Sequence, residues 1–251
     1  MAIAVKPRPA VTRDRWHQYT YQGVTYPGVT GIIKVLDKSD VLMNWAARQT
    51  AEAAIAQAAN LSNLVATSGP EGVVRFLTAR SSWKNEEAKV RGTDVHAKAD
   101  LVVNGQPTGE LTDALRAHVE GYVAWWHASG WRIRLSEAYV IHPGLGFGGT
   151  FDLLAYGPDG ETILADVKTG KGVYSETRLQ LAAYGMAELV APVASEIAYP
   201  MPPIDRYVVL HVTEDGVREI EVDVDDADRE AFLACLPLSR WKKSHAKENR
   251  L

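Results

Sequence analysis

The sequence predicts an α/β protein: an N-terminal helical lobe, then a core with a mixed central β-sheet flanked by helices. Three observations carry this. In the first half, apolar residues recur three and four apart, as in Leu111, Leu115, Val119, Tyr122 and Trp126. From Trp131 onward the pattern changes to alternation rich in β-branched residues. Gly157-Pro158-Asp159-Gly160 and Glu214-Asp215-Gly216 each join two strand-like runs. Without repeats or low-complexity linkers, the 251 residues read as a single domain. Its parts are a helical lobe at about 19–130, an α/β core at about 131–241 and a basic tail at 242–251.

Tyr19 to Tyr26 is rich in β-formers around Gly23 and predicts a short hairpin. A short helix capped near Thr30 follows, then a long Ala-rich helix from Asp40. Ser68-Gly69-Pro70 breaks the helical pattern. One helix is expected from Glu71, and another from near Ser81 carrying Trp83, Val90 and His96. Leu111 to Ser129 is helical, with Gly130 suited to its C-terminal cap. Strands are expected over Trp131 to Ile141, Phe147 to Tyr156 and Glu161 to Lys168, and a helix over Tyr174 to Val190. A second hairpin spans Ile204 to Val224, and Asp225 caps a last helix running to about Trp241.

Composition excludes several classes. No stretch approaches the roughly 20 apolar residues of a membrane span, and Met1 to Arg15 has no signal-peptide core. Cys235 is the one cysteine, so neither an internal disulfide nor a thiolate-bound cluster is expected. An intracellular, cytoplasmic protein fits, and any metal must sit on oxygen or nitrogen ligands. The formal net charge of −4 is unusual for a nucleic-acid binder. A site whose carboxylates face bound cations escapes that rule.

The chemistry lies in the first hairpin of the core. Counting back from a turn centred on Pro158-Asp159, with Tyr156 opposite Glu161, puts Asp152 beside Ala165 or Asp166. Asp166 and Lys168 are two apart on one strand and share a face. Two converging carboxylates repel each other, and a divalent cation supplies a reason for the arrangement. A cation held by Asp152 and Asp166 polarises a phosphoryl oxygen and activates water, with Lys168 placed to steady the developing charge. An isolated D-x-K is most often a solvated strand face. Here apolar Ile163-Leu164-Ala165 precedes it, and Gly148-Gly149 precedes Asp152, permitting close approach by a ligand.

The string GGTFDLLAYGPDGETILADVKTGK, followed by QLAAY, resembles the PD-(D/E)XK nuclease superfamily. More narrowly it resembles the RecB-like branch, with the Cas4 and mitochondrial genome maintenance exonuclease groups. The matching motifs are Gly149-Thr150-Phe151-Asp152, Asp166-Val167-Lys168-Thr169, Gln180 to Tyr184, and the upstream Gly92-Thr93-Asp94-Val95-His96. The resemblance implies a restriction-endonuclease-like core. It also implies Mg²⁺ or Mn²⁺, one or two ions, held by His96, Asp152, Asp166 and the Val167 carbonyl, with Lys168 catalytic. Cas4 proteins carry a four-cysteine iron–sulfur cluster; this chain has one cysteine, so the cluster-free phage and mitochondrial-type exonucleases fit better. The implied activity is DNA exonuclease with single-stranded DNA as partner, in replication, recombination or repair. A structure-specific endonuclease of the same core and a non-catalytic DNA-binding relic are the rivals.

Glu137 fits both a further metal ligand and a solvated strand charge. A histidine such as His96 ligates Mn²⁺ more readily than Mg²⁺. Gln180 and Tyr184 share a helix face and suit either contact with substrate or, for Tyr184, the core. Lys171 and Arg178 flank the site as phosphate-binding candidates or as solvated charges. Trp45, Trp83, Trp125, Trp126 and Trp131 suit base stacking in a single-strand channel, or core packing. The basic run from Arg240 to Arg250 suits a DNA grip or a frayed tail.

Overall fold

The computed structural model describes residues 9–36, 39–170, 172 and 174–245. The chain divides into two compact units, Met1–Leu36 with Asp94–Leu251, and Asp37–Thr93. Residues 19–36 and 94–130 of the expected lobe thus group with the sheet.

The larger unit opens with a three-stranded antiparallel sheet, β1 (Val11–Arg13), β2 (Gln18–Tyr21) and β3 (Val24–Pro27). Gln22 and Gly23 turn between β2 and β3 at φ 47° and 79°, the geometry that a tight two-residue hairpin demands. Helix α1 (Val29–Ile33) follows; its N-cap is Gly28, without a side-chain hydrogen bond, rather than Thr30.

A seven-stranded mixed sheet forms the centre, in the order β10-β9-β6-β5-β4-β7-β8. Its strands are β4 (Arg132–His142), β5 (Phe147–Tyr156), β6 (Thr162–Lys168), β7 (Leu189–Ala191), β8 (Tyr199–Pro200), β9 (Arg206–Thr213) and β10 (Gly216–Glu221). Among the described strands of this sheet, β6 and β9 pair in parallel and the other neighbours antiparallel. Helices α1, α5 (Ser175–Gly185) and α6 (Asp226–His245) cover one layer, through Ile32, Leu181 and Phe232 against Phe151, Leu164 and Val209. Residues 94–103 of α3 (Leu61–Val103) and helix α4 (Asp113–Ser129) cover the other, through Val95, Val119 and Tyr122 against Leu153, Ala165 and Leu210. The expected α/β class, with a mixed sheet flanked by helices, is what the chain adopts.

Several details differ from expectation. Helix α5 stops at Gly185, and Val190 lies in β7, where it pairs with Val140. Backbone pairing with β4 overrides the helical spacing of that apolar run. No helix starts near Ser81: α3 is continuous there, and its one break is Gly69 at φ 69°, ψ 166°, followed by Pro70. Gly130 caps α4 at φ 70°, as expected. Asp225 caps α6 reciprocally with Asp228: the Asp228 N–H donates to Asp225 Oδ1 at 3.0 Å and the Asp225 N–H to Asp228 Oδ2 at 3.1 Å. That helix continues past Trp241 to His245.

The smaller unit holds α2 (Ser39–Ala56), a 3-10 turn (Ala58–Asn60) and α3 up to Thr93. It buries few described side chains, among them Gln49, Ala53 and Val73. Among the described residues no helix is long and apolar enough to cross a membrane.

Candidate metal centre

The turn Gly157–Gly160 sets the register of β5 on β6. Tyr156 pairs with Thr162 and Leu153 with Ala165, one residue off the pairing of Tyr156 with Glu161 counted from the sequence. Continuing this register sets Asp152 opposite Asp166, one of the two expected neighbours. The ladder ends at Leu153, and the Val167 N–H donates to Asp152 Oδ2 at 2.6 Å. Asp152 is thereby fixed by the backbone of the strand that carries Asp166 and Lys168.

Phe151 and Leu153 lie two apart on β5, yet they pack in opposite layers. Side chains two apart on a regular strand share a face, so the alternation slips at Asp152. On β4, Ser136 pairs with Leu153 and Ala138 with Phe151, which leaves Glu137 level with Asp152. Glu137 has φ 48°, left-handed backbone inside a strand. For a non-glycine residue this costs on the order of 1–3 kcal/mol, and such strain gathers at functional sites. The slip turns Glu137 toward Asp152.

His96 enters from the last turns of α3. Its Nδ1 lies 3.4 Å from Asp152 Oδ2 and 4.0 Å from Glu137 Oε1. Ligand atoms of His96, Glu137 and Asp152 all fall within 4.8 Å of one another, a spacing one cation can span. Asp166 is 1% exposed, and apart from Lys168 its carboxylate has no hydrogen-bond donor among the described residues. The Lys168 ammonium is its close ionic contact.

The protonation pattern follows from this crowding. Burial works against a charged His96, but Asp152, with Asp166 and Glu137 behind it, outweighs that and raises its pKa to about 9. Burial and Asp152 push Glu137 up to about 7, against the pull of His96. Burial and the Asp152 charge raise Asp166 to about 6, although Lys168 opposes them. Burial would also raise Asp152, yet His96, Lys168 and the Val167 N–H together hold it below the usual carboxylate range. Lys168 is raised by Asp166 and Asp152 despite its burial.

These residues fit a divalent cation. Asp166 keeps buried acceptor oxygens with no donor except an ammonium, and polar atoms are rarely left so. The upward shifts of His96 and Glu137 reflect a local excess of negative charge, which a cation would balance. The donor set within that spacing is two carboxylates and one imidazole, oxygen and nitrogen donors with no thiolate. Of Val167, the N–H is engaged by Asp152. A cavity of about 10 Å³ beside His96, Asp100, Glu137 and Asp152 is on the scale of one water.

The other sequence candidates fall into different roles. Gln180 Nε2 donates to Tyr184 Oη at 2.9 Å, so these two pair with each other. Tyr184 is fully buried, which puts it in the core, and burial raises its pKa well above the ordinary value. A Cβ at Gly149 would stand 2.5 Å from the Tyr184 ring, and one at Gly148 would stand 2.8 Å from Tyr19 Cβ. Space above the two glycines is therefore filled by tyrosines of this chain rather than left open for a ligand. Arg178 places its guanidinium fork on Asp228 at 2.9 and 2.7 Å, tying α5 to α6 rather than reaching for phosphate. Lys171 lies outside the described residues, as do Lys247 and Arg250 of the tail. Trp125 packs against Trp126 and Trp131 and donates to Glu219, so these three tryptophans serve packing.

Two supports were not foreseen. Asp100, one turn after His96 on α3, accepts from Ser136 Oγ and from Asn104 Nδ2 at 2.9 Å, pinning the helix to β4 next to Glu137. The i, i+4 spacing from His96 is its only sequence signal. His211, beside Lys168 on the parallel strand, contacts the Gly170 carbonyl at 2.7 Å and holds the chain just after the D-x-K element.

No family model matches the chain, and no curated protein matches it. Among solved structures, that of the protein SSO0001 is similar, at 14% identity and a TM-score of 0.31, over 59% of this chain and 73% of its own. A likeness that slight carries no argument about fold or activity.

Proposed function

We propose that the chain is a metal-dependent deoxyribonuclease with a PD-(D/E)XK core, acting on single-stranded DNA ends. The observation that carries this reading is the meeting of His96, Glu137 and Asp152 within 4.8 Å at the end of the β-ladder whose other strand carries the Asp166–Lys168 ion pair. Such a cluster of repelling carboxylates has no purpose in stability, since each is worth more in water.

His96, Glu137, Asp152 and Asp166 would hold Mg²⁺ or Mn²⁺, and the ion supplies Lewis acidity and a lowered pKa for water. The Val167 N–H keeps Asp152 aimed at the shared point. Asp166 orients Lys168, whose raised pKa keeps it an ammonium at neutral pH, a donor for a nucleophile or a developing oxyanion. Glu137 is brought to this point by strand backbone at φ 48°.

Alanine at Asp166 or Lys168 should abolish cleavage of linear single-stranded DNA without loss of folded protein by circular dichroism. Full activity in either purified variant would sink the mechanism. Circular single-stranded DNA should resist the wild type; its cleavage would favour an endonuclease on the same core. An imidazole ligand predicts that Mn²⁺ supports activity at least as well as Mg²⁺.

A further inference from the structure

Arg13 ends β1, and its side chain reaches toward the central sheet. The guanidinium carbon lies 6.0 Å from the centroid of the Tyr139 ring, and Nη1 lies 3.5 Å from Thr150 Oγ1. Tyr139 and Thr150 pair across β4 and β5. Each is two residues from a carboxylate of the centre, Glu137 or Asp152, about 7 Å along a strand. Tyr19 Oη, 2.9 Å from Thr150 Oγ1, braces the same spot.

Arg13 is exposed, and among the described residues no carboxylate forms a salt bridge with it. Arg178 and Arg206, by contrast, spend their forks on Asp228, Glu161 and Glu221. An arginine left open beside an acidic metal centre has the donor geometry for a phosphate. The turn that follows is fixed by Asp14 Oδ1, which accepts from the N–H of Trp16 at 2.9 Å and of Gln18 at 2.8 Å. It presents Trp16, 65% exposed, with the Arg15 guanidinium 4.0 Å over the ring. An exposed indole with a second cation suits an unstacked base.

We propose that Arg13 binds the phosphate adjacent to the one at the metal centre, so that the three-stranded sheet is the lip over which a single-stranded nucleic acid enters. This rests on reading the metal centre as a nucleic-acid site. Arg13 makes its contact through the strand's backbone, and Trp16 takes the base beyond it.

The test is a binding cycle in cleavage-deficient Asp166→Asn protein with Mn²⁺ and a single-stranded oligodeoxynucleotide. The oligonucleotide carries one neutral methylphosphonate linkage, placed at each position in turn. Adding Arg13→Ala should weaken binding of the fully charged strand roughly tenfold and lower the salt slope by about one. Neutralising one linkage should weaken binding similarly when Arg13 is present and have no effect when it is absent. Arg13→Lys should recover part of the loss. Equal methylphosphonate penalties with and without Arg13 at every linkage would overturn the inference. Cleavage by the wild type with no such coupling removes the inference and keeps the nuclease reading. Coupling without any wild-type cleavage does the reverse, and absence of binding removes both.

Discussion

The sheet-bearing unit buries charged groups as well as pairing them locally on its surface, and the described part of the helical unit 37–93 only pairs them locally. In the helical unit the ion pairs are local and solvated: Arg48 with Glu52 at 2.9 Å, Arg75 with Glu71 at 3.9 Å and Lys89 with Glu86 at 3.6 Å. Large apolar side chains stay exposed there too, including Met43, Ile55, Val74 and Trp83. The sheet unit buries Asp166 and packs Phe151, Leu154 and Leu164 almost completely. Only a well-packed core can hold carboxylates against their own repulsion, because its burial energy offsets theirs. Chemistry and packing density therefore fall in the same unit.

The largest stability difference should appear on truncating an aromatic in each unit. Phe151→Ala should cost about 3–5 kcal/mol, whereas Trp83→Ala should stay within about 0.5 kcal/mol, read by denaturant titration. Similar losses would erase the contrast. Next comes the site itself. Because Asp166 is raised to about 6 in the folded chain, its charge destabilises metal-free protein at neutral pH. Asp166→Asn should then stabilise that protein, by about 1–3 kcal/mol, while removing cleavage. A destabilised variant would mean that the Lys168 ion pair outweighs the repulsion.

The pH dependence has the same sign. His96 at about 9, Glu137 at about 7 and Asp166 at about 6 all lie above their ordinary values. Folded, metal-free protein thus binds more protons than the unfolded chain between about pH 4 and 9, and it gains stability as pH falls through that window. Asp152, depressed by His96, acts oppositely only at the acid end. Melting with EDTA across this range should show the gain; saturating Mn²⁺ should flatten it, because the ion replaces the protons. Gly149→Ala sets a methyl against the Tyr184 ring and should cost about 1–3 kcal/mol, read by denaturant titration, without altering Mn²⁺ binding.

Sequence alone indicated which of the candidate residues meet wherever local rules apply. A period of two puts Asp166 and Lys168 on one face, and a Pro-Asp-Gly turn brings Asp152 alongside. What it hid depends on tertiary contacts. Glu137 at positive φ follows from a slip shared by β4 and β5. β7 exists because β4 offers it a partner, although its apolar run continues the helical spacing of α5. Gly148 and Gly149 looked like room for a ligand, but Tyr19 and Tyr184, more than 30 residues away in one direction or the other, occupy that space. Arg13 carries no motif, and only pairing of the small sheet brings it to Thr150.

The most direct test is digestion of linear DNA, single- and double-stranded and labelled at either end, by metal-stripped protein to which Mn²⁺ or Mg²⁺ is added back. Cleavage that requires added metal, favours single-stranded ends and vanishes in Lys168→Ala is the predicted result. Cleavage unaffected by EDTA, or none with either ion while Mn²⁺ fails to bind, would contradict the assignment of Asp152, Asp166, His96 and Lys168 to a nuclease centre.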